Sequence, residues 1–297
     1  MNSARTARLY PPRLTASPPR GRRRSVTRCF ATPLLSKIRI RYAPTVSLAV
    51  PDGRPPRPEL RTGVVAGKLL AKDDVQWSKD ETEDLQRALA GVTRLPGKLN
   101  APSSYVAKLC DRLVVFHDLD NVDHVPYDWS PVQVDKGKTG SALAAWFPLP
   151  FGGPEQVVLP GFHSAAESSL KKNAGGDEIF LALCGLMSTG SRTVLLSRWR
   201  VGGQSSYDLM REFLQELPHS TAAAAWQRSV QLRMQAEIDP HREPRAHLVA
   251  GEPPLKASHP FFWSGYLLAD TGASPVVADP PLAKEVEPKG KAADVKK

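Results

Sequence analysis

Two histidines of the sequence, His163 and His117, follow apolar runs and could take part in acid–base chemistry. His163 and Ser164 follow the apolar run Gln156–Leu159, so a hydroxyl nucleophile with a neighbouring base is conceivable there. Adjacent residues in a loop seldom point the same way, however, and the segment lacks the Gly-x-Ser-x-Gly pattern of a nucleophile elbow. His117 ends the apolar run Leu113–Phe116, a position typical of a polar residue at the rim of a sheet.

The elements that must position these residues form a strand–helix–strand unit. Gln156–Leu159 and Thr193–Leu196 are short apolar runs, and both are typical of parallel strands buried on two faces. Between them, the apolar stretch within residues 177–189 predicts the most deeply buried helix of the chain. In such a crossover, ligands gather beyond the carboxyl ends of the strands. Any chemistry is therefore expected at residues 160–165 and 197–203.

The flanking sequence predicts the rest of an α/β fold. Strands near 62–66 and 113–116 should join the two strands above in one mainly parallel sheet, with helices on both faces. Ser78–Glu81 has the pattern of a capping box and predicts the start of a helix. Ser205 or Ser206 is expected to cap a later helix.

Composition predicts one folded domain between two disordered tails. The first thirty residues hold eight arginines and no acidic residue, so of the net charge of +10 only about +2 belongs to the rest of the chain. The 28 prolines gather toward both ends, and segments of this composition do not bury enough apolar surface to fold. We expect tails at residues 1–33 and 272–297 and one domain at residues 34–271, which opens with the edge-strand pattern of Ile38–Tyr42.

The basic N-terminal segment also resembles an organellar transit peptide, or a basic arm for nucleic acid, although a solvated tail is the simpler interpretation. The three cysteines, Cys29, Cys110 and Cys184, have no metal or disulfide spacing, which fits a reducing compartment and predicts a cytoplasmic location. No apolar run reaches the roughly 18–20 residues of a membrane span, so no membrane partner is expected.

The loop after the third predicted strand holds four side chains that could bind a metal ion. They are Asp120, Asp123, His124 and Asp128. Their spacing matches neither a calcium-binding loop nor a zinc motif. We therefore predict no metal site and no cofactor.

Three short motifs carry a resemblance to a known family. They are Gly175–Glu178 (Gly-Gly-Asp-Glu), Trp199–Val201 (Trp-Arg-Val) and His259–Trp263 (His-Pro-Phe-Phe-Trp). In this order after a strand they resemble the core of a CHAT domain, a family related to caspases and separases and linked by its name to TPR repeats. The resemblance extends upstream to about residues 41–44. It implies a caspase-like three-layer sandwich with a mainly parallel central sheet and helices on both faces.

The sequence departs from the family at its most specific motif. Active members usually carry Ser-Ala-Cys-Glu-Thr-Gly after the strand, whereas residues 159–164 here are Leu-Pro-Gly-Phe-His-Ser. The resemblance thus puts Phe162 in the cysteine position. The strand that delivers the family's catalytic histidine ends here at His117, without the His-Phe-Ala-Thr-His-Gly pattern around it. Cys110 belongs to the opposite end of that strand and Cys184 to a buried helix, so neither is expected to replace the nucleophile.

The resemblance therefore implies a vestigial site and a pocket rim. The vestigial-site residues are His117, Phe162, His163 and Ser164, and the rim residues are Gly161, Asp118, Arg198 and Trp199.

Three hypotheses for function follow. The first is a peptidase-like domain without cysteine protease activity, which binds a protein or peptide partner, possible partners including TPR proteins. The second is an active hydrolase of the caspase-like clan that uses Ser164 and His163 or another nucleophile. The third is a binder of nucleic acid or an anionic surface through the basic tail. Likeness of fold alone does not decide among them.

Overall fold

The computed structural model describes most of the chain between residues 33 and 272. The described residues are 33–51, 53–55, 60–70, 72–89, 91–95, 102–105, 109–121, 125–133, 138–149, 152–164, 177–245 and 256–272. The predicted tails, residues 1–33 and 272–297, lie outside these ranges except at Pro33 and Gly272. Their disorder therefore stays a prediction.

Eight strands and four α-helices make up the described part of the fold. The strands are β1 (Thr62–Val65), β2 (Val92–Leu95), β3 (Arg112–Val115), β4 (Leu119–Asn121), β5 (Gln156–Leu159), β6 (Phe162–Ser164), β7 (Thr193–Ser197) and β8 (Tyr266–Asp270). The helices are α1 (Val75–Ala88), α2 (Asp177–Ser188), α3 (Gln204–Glu216) and α4 (Ala222–Met234).

Six of the strands form one sheet in the order β2-β1-β3-β5-β7-β8. All neighbours in it are parallel except β7 and β8, which are antiparallel. The strands near residues 62–66, 113–116, 156–159 and 193–197 all lie in this sheet, as predicted. The remaining strands, β4 and β6, pair with each other in parallel just beyond the carboxyl ends of β3 and β5.

Alternating side chains divide the interior into two apolar layers, one on each face of the sheet. Val114 and Val158 face the layer covered by α1, α3 and α4. Their neighbours Val115 and Val157 face the opposite layer, which is covered by α2, by the short 3-10 helix Leu143–Trp146 and by Trp129. Successive side chains of a strand point to opposite faces of the sheet. A parallel strand that is buried on both faces is therefore apolar at nearly every position, as these short strands are. The predicted fold class, a sandwich with helices on both faces, is confirmed.

The prediction that residues 177–189 form the most buried helix is wrong. Five of the twelve residues of α2 are buried, against eight of the thirteen residues of α3. Helix α3 packs against both α1 and α4, so even its polar Ser205, Ser206 and Asp208 are buried. Helix α2 leaves one side uncovered, where the side chain of Phe180 is 48% exposed.

The predicted N-caps are also corrected by the structure. Helix α1 begins at Val75, because the carboxylate of Asp74 accepts a hydrogen bond of 2.8 Å from the backbone N–H of Trp77. Ser78 therefore lies inside the helix, where it is buried. Helix α3 begins at Gln204 after Gly203, which offers no side-chain cap.

The predicted edge strand at Ile38–Tyr42 is reduced to a single bridge. Tyr42 pairs with Ala269 of β8, and its backbone N–H donates to the carbonyl of Leu268 at 2.8 Å. The side chain of Arg41 reaches Asp270 at the end of the same strand. Among the described residues, no helix is both long enough and apolar enough to cross a membrane.

Candidate functional site

The chain bends sharply where β3 passes into β4 and β5 passes into β6. At this bend the backbone N–H of Leu119 donates to the carbonyl of Gly161 at 2.9 Å. A Cβ atom on Gly161 would lie 2.0 Å from the carbonyl oxygen of His117. Glycine at 161 therefore allows the two bends to touch, and this contact holds residues 117–119 against residues 161–163.

Phe162, which stands in the predicted cysteine position, is a core residue. Its side chain is fully buried, and its ring centroid lies 5.2 Å from that of Trp129. It shares the α2-side layer with Leu119, its register partner on β4. A phenyl ring offers no group that could attack a carbonyl or exchange a proton.

Neither cysteine of the described residues is activated as a nucleophile. Cys110 lies just before β3, at the opposite end of that strand, and burial raises the pKa of its thiol to about 12. Cys184 lies within α2, where desolvation also raises the pKa. A reactive cysteine needs the opposite shift, because the thiolate is the nucleophile.

Three polar side chains from three separate segments meet beside the bend. The Nε2 atom of His163 lies 2.7 Å from Oδ1 of Asp118. The Nε atom of Arg200, from the loop after β7, lies 3.2 Å from the same histidine nitrogen. A single imidazole nitrogen can donate a hydrogen bond or accept one, but not both. Nε2 of His163 can therefore donate to Asp118 or accept from Arg200, but not both at once.

His163 and Ser164 lie on opposite faces of β6, because side chains alternate along a strand. His163 faces Asp118, whereas Ser164 shares the side of Phe162. Both side chains are almost completely buried. His117 is half-buried at the rim, with Nδ1 3.2 Å from the carbonyl oxygen of Asp118.

Residues next to two of the motifs that carry the family resemblance are in direct contact. The backbone N–H of Arg198 donates to the carbonyl of Gly265 at 2.7 Å, and its Nη2 donates to the carbonyl of Ser264 at 2.8 Å. A Cβ atom on Gly265 would lie 2.8 Å from the ring of Trp199. The segment after β7 is thus held against the segment that leads into β8.

A small cleft, with room for little more than a water molecule, lies at this place, next to the cluster of Asp118, His163 and Arg200. It is lined by Trp199, Arg200, Val201, Gly202, Ser205, Ser206, Glu243, Arg245, Phe261 and Phe262. Of the predicted rim residues, Trp199 lines the cleft itself, while Asp118 and Gly161 lie in the adjacent bend.

Two buried carboxylates, which the sequence interpretation missed, hold the backbone at the start of α3 beside this cleft. Glu243 accepts hydrogen bonds from the backbone N–H and the hydroxyl of Ser205 at 2.7 and 3.0 Å. Asp73 accepts from the backbone N–H groups of Leu70 and Gly203 at 2.9 and 3.3 Å. Desolvation raises the pKa of both, that of Glu243 to about 7.

One sequence signal could have pointed to these carboxylates. Gly202 and Gly203 form a pair before a helix, and such pairs often mark a close approach. A Cβ atom on Gly203 would lie 2.5 Å from Oε2 of Glu243, and one on Gly202 would lie 3.2 Å from Oδ2 of Asp73. The glycine pair indicates that other atoms lie close to the backbone at this point. It does not indicate that those atoms belong to Asp73 and Glu243, which are far away in the sequence.

The predicted absence of a metal site stays a prediction. Asp123 and His124 lie outside the described residues. Among the described residues, no group of three or more histidine, cysteine, aspartate or glutamate side chains could hold a metal ion.

Comparison with known proteins identifies part of the chain. Residues 142–271 match the family model of the CHAT domain, which confirms the predicted resemblance over this range. The range contains β5 to β8 and α2 to α4, and with them the cleft-forming segments after β7 and before β8. A search of curated proteins finds no match to the chain.

Proposed function

We propose that the CHAT domain, which this chain contains at residues 142–271, binds a protein or peptide segment at the carboxyl edge of its sheet without cutting it by cysteine chemistry. The observation that carries the proposal is Phe162. A buried ring occupies the position in which the resemblance expects the nucleophilic cysteine.

The side chains at this edge of the sheet favour a domain without cysteine peptidase activity. Cysteine proteolysis needs a thiolate within reach of a base and of donors for the oxyanion. The phenyl ring of Phe162 packs on Trp129 and supplies no sulfur. The two cysteines of the described residues have raised pKa values and lie at the far end of a strand and within a helix.

The binding role is supported by the cleft beside this position. Its wall contains aromatic side chains, Trp199, Phe261 and Phe262, together with polar groups. Aromatic side chains and arginine are enriched where protein surfaces bind one another. The cleft also lies at the carboxyl edge of a parallel sheet, where α/β proteins generally bind their ligands.

The proposal is tested by measuring binding and cleavage on the same peptides. Fluorescent pools of random short peptides are titrated with the full chain, and bound pools are then incubated and analysed by mass spectrometry. We expect binding that saturates, and no new peptide termini. Phe261→Ala should weaken binding, whereas Phe180→Ala, which removes an exposed ring from α2, serves as the matched control.

Other outcomes would contradict the proposal in distinguishable ways. Cleavage that disappears in Cys110→Ala or Cys184→Ala would show cysteine chemistry. Cleavage lost only in Ser164→Ala or His163→Ala would favour the hydrolase hypothesis. Binding that is lost when residues 1–30 are deleted and that collapses with added salt would assign the interaction to the basic N-terminal segment instead.

A further inference from the structure

The cleft admits a peptide only if one of its walls moves, because it has room for little more than a water molecule. Two of the walls are firmly held. Arg198 bonds the carbonyls of residues 264 and 265 and so fixes the wall that contains Trp199, and Phe262 is buried. The third wall contains Glu243 and belongs to residues 235–245, which follow α4 and which we call the strap.

Glu243 is the one buried residue of the strap, and all the others are half-buried or exposed. The backbone hydrogen bonds of the strap are local. The N–H groups of Ala236, Arg242 and Glu243 each donate to a carbonyl three residues earlier. Buried anchor residues are usually apolar, whereas this one is a carboxylate. Segments with few buried apolar contacts are those that open locally at low cost.

The carboxylate of Glu243 joins the strap to the first turn of α3. It accepts hydrogen bonds from the backbone N–H and the hydroxyl of Ser205 at 2.7 and 3.0 Å. The first N–H groups of a helix have no partner within the helix, so an acceptor from another segment is favourable there. Gly203 makes the approach possible, because a Cβ atom on it would lie 2.5 Å from Oε2 of Glu243 and 2.8 Å from the carbonyl oxygen of Arg242.

Several charged or titratable groups surround Glu243. They are Asp73 from the loop before α1, Arg233 of α4, Tyr266 of β8, and Arg200 and Arg245, which line the same cleft. Burial has the largest effect and raises the pKa of Glu243 from 4.5 to about 7, and the negative charge of Asp73 acts in the same direction. The hydrogen bonds from Ser205 and the positive charge of Arg233 act in the opposite direction and are outweighed.

The pKa of Glu243 links the position of the strap to pH. Opening the strap returns the carboxyl group to water and to its ordinary pKa of 4.5. The closed state therefore holds a proton that the open state releases. Opening becomes easier as the pH rises from about 4.5 to about 7, and changes little above that range.

We propose that the strap is a lid over the cleft, that Glu243 is the latch that holds the lid against α3, and that the bound segment enters when this latch is released. This inference rests on the proposed function, because it concerns how the same cleft admits its peptide. The apparent affinity is then the intrinsic affinity multiplied by the fraction of molecules in which the strap is open.

The test measures peptide binding and hydrogen exchange with the full chain. Fluorescent pools of random peptides, N-acetylated and free of histidine and cysteine, are titrated by anisotropy at about pH 6 and about pH 8, which lie on either side of the transition. Hydrogen exchange of residues 235–245 is followed by mass spectrometry at one fixed pH. We expect the dissociation constant to be about tenfold lower at the higher pH. Bound peptide should speed exchange of the strap.

Variants separate the latch from other groups that titrate in this range, such as the histidines. Glu243→Gln keeps the shape and the hydrogen bonds to Ser205, so binding should stay as weak as at the lower pH and become independent of pH. Glu243→Ala removes the latch. It should bind at both pH values at least as tightly as the unaltered chain does at the higher one, and its strap should exchange faster. Glu237→Gln changes an exposed carboxylate of the same strap, and this matched control should keep the full pH dependence.

The two readouts separate this inference from the function on which it rests. Equal binding by the unaltered chain and both Glu243 variants at both pH values would overturn the latch and leave peptide binding intact. A pH dependence that persists in Glu243→Gln would also overturn it, and this comparison decides if Glu243→Ala does not fold. Absence of binding by every protein would overturn the proposed function. Hydrogen exchange then decides on the latch, which is overturned if the strap of Glu243→Ala exchanges no faster than that of the unaltered chain.

Discussion

Replacing Phe162 by alanine tests whether the position expected for cysteine has become part of the core. The ring is fully buried and packs on Trp129. Returning a buried phenyl group to water costs roughly 1.5–3 kcal/mol. A residual cavity on the order of 80 Å³, at about 24 cal/mol per Å³, adds roughly 2 kcal/mol. The free energy of unfolding should therefore fall by about 4 kcal/mol, a large part of the roughly 5–15 kcal/mol that holds a typical domain together.

The measurement is urea unfolding of both proteins, monitored by tryptophan fluorescence and by circular dichroism. The midpoint should fall while the slope with denaturant stays the same, because that pattern reports a change in stability alone. Phe162→Leu conserves most of the volume and should cost less than about 1.5 kcal/mol. Phe180→Ala, at a 48% exposed site, is the control for losing a ring at the surface.

A loss of less than about 1 kcal/mol in Phe162→Ala, similar to that of Phe180→Ala, would refute the reasoning. The ring would then not be packed as the structure shows. Phe162 would then not be a core residue that stands in place of the family's cysteine.

Three further predictions concern the neighbourhood of the cleft and the thiols. Burial raises the pKa of Glu243 from 4.5 to about 7, so its contribution to stability is fully present below about pH 4.5 and is lost as pH rises through 7. Glu243→Gln should flatten this part of the pH dependence of urea unfolding, and an unchanged profile would contradict the shift. Gly203→Ala should cost about 1 kcal/mol more than Gly91→Ala in thermal unfolding. Both glycines have positive φ (+80° and +68°), but only at Gly203 would the new Cβ meet described atoms within 4 Å. Cys184 should react with a thiol reagent faster than Cys110, which is 3% exposed; peptide mapping that finds the reverse order would show that Cys110 is accessible.

The sheet could be predicted from sequence because its signal is local. Short runs such as Val157–Leu159 and Val194–Leu196 are apolar at every position, and double burial is the usual reason for this pattern. The relative burial of the helices could not be predicted in this way. Ser205, Ser206 and Asp208 on α3 are buried because α1, α4 and the segment around Glu243 cover them, which is a property of tertiary packing.

The candidate site was predictable only in part, for the same reason. Strand ends and motifs pointed to Asp118, His163 and Trp199 one by one. His163 is 45 positions from Asp118 and 37 positions from Arg200 in the sequence. No periodic pattern in the sequence indicates that these three side chains are in contact. The partner of His163 in the loop after β7, Arg200, was therefore missed, as were the carboxylates beside the cleft.

The pairing of β3 with β5 has a consequence for how the molecule can be divided. Leu113 of β3 lies opposite Val157 of β5, and Val114 lies opposite Val158. The family match begins at residue 142, downstream of β1, β2 and β3. A fragment that begins there would carry β5 as an unpaired edge, and both apolar layers would lose the side chains that β1 and β3 supply. The range of the family match is thus shorter than the sheet to which it contributes, and a fragment trimmed to that range is expected to aggregate.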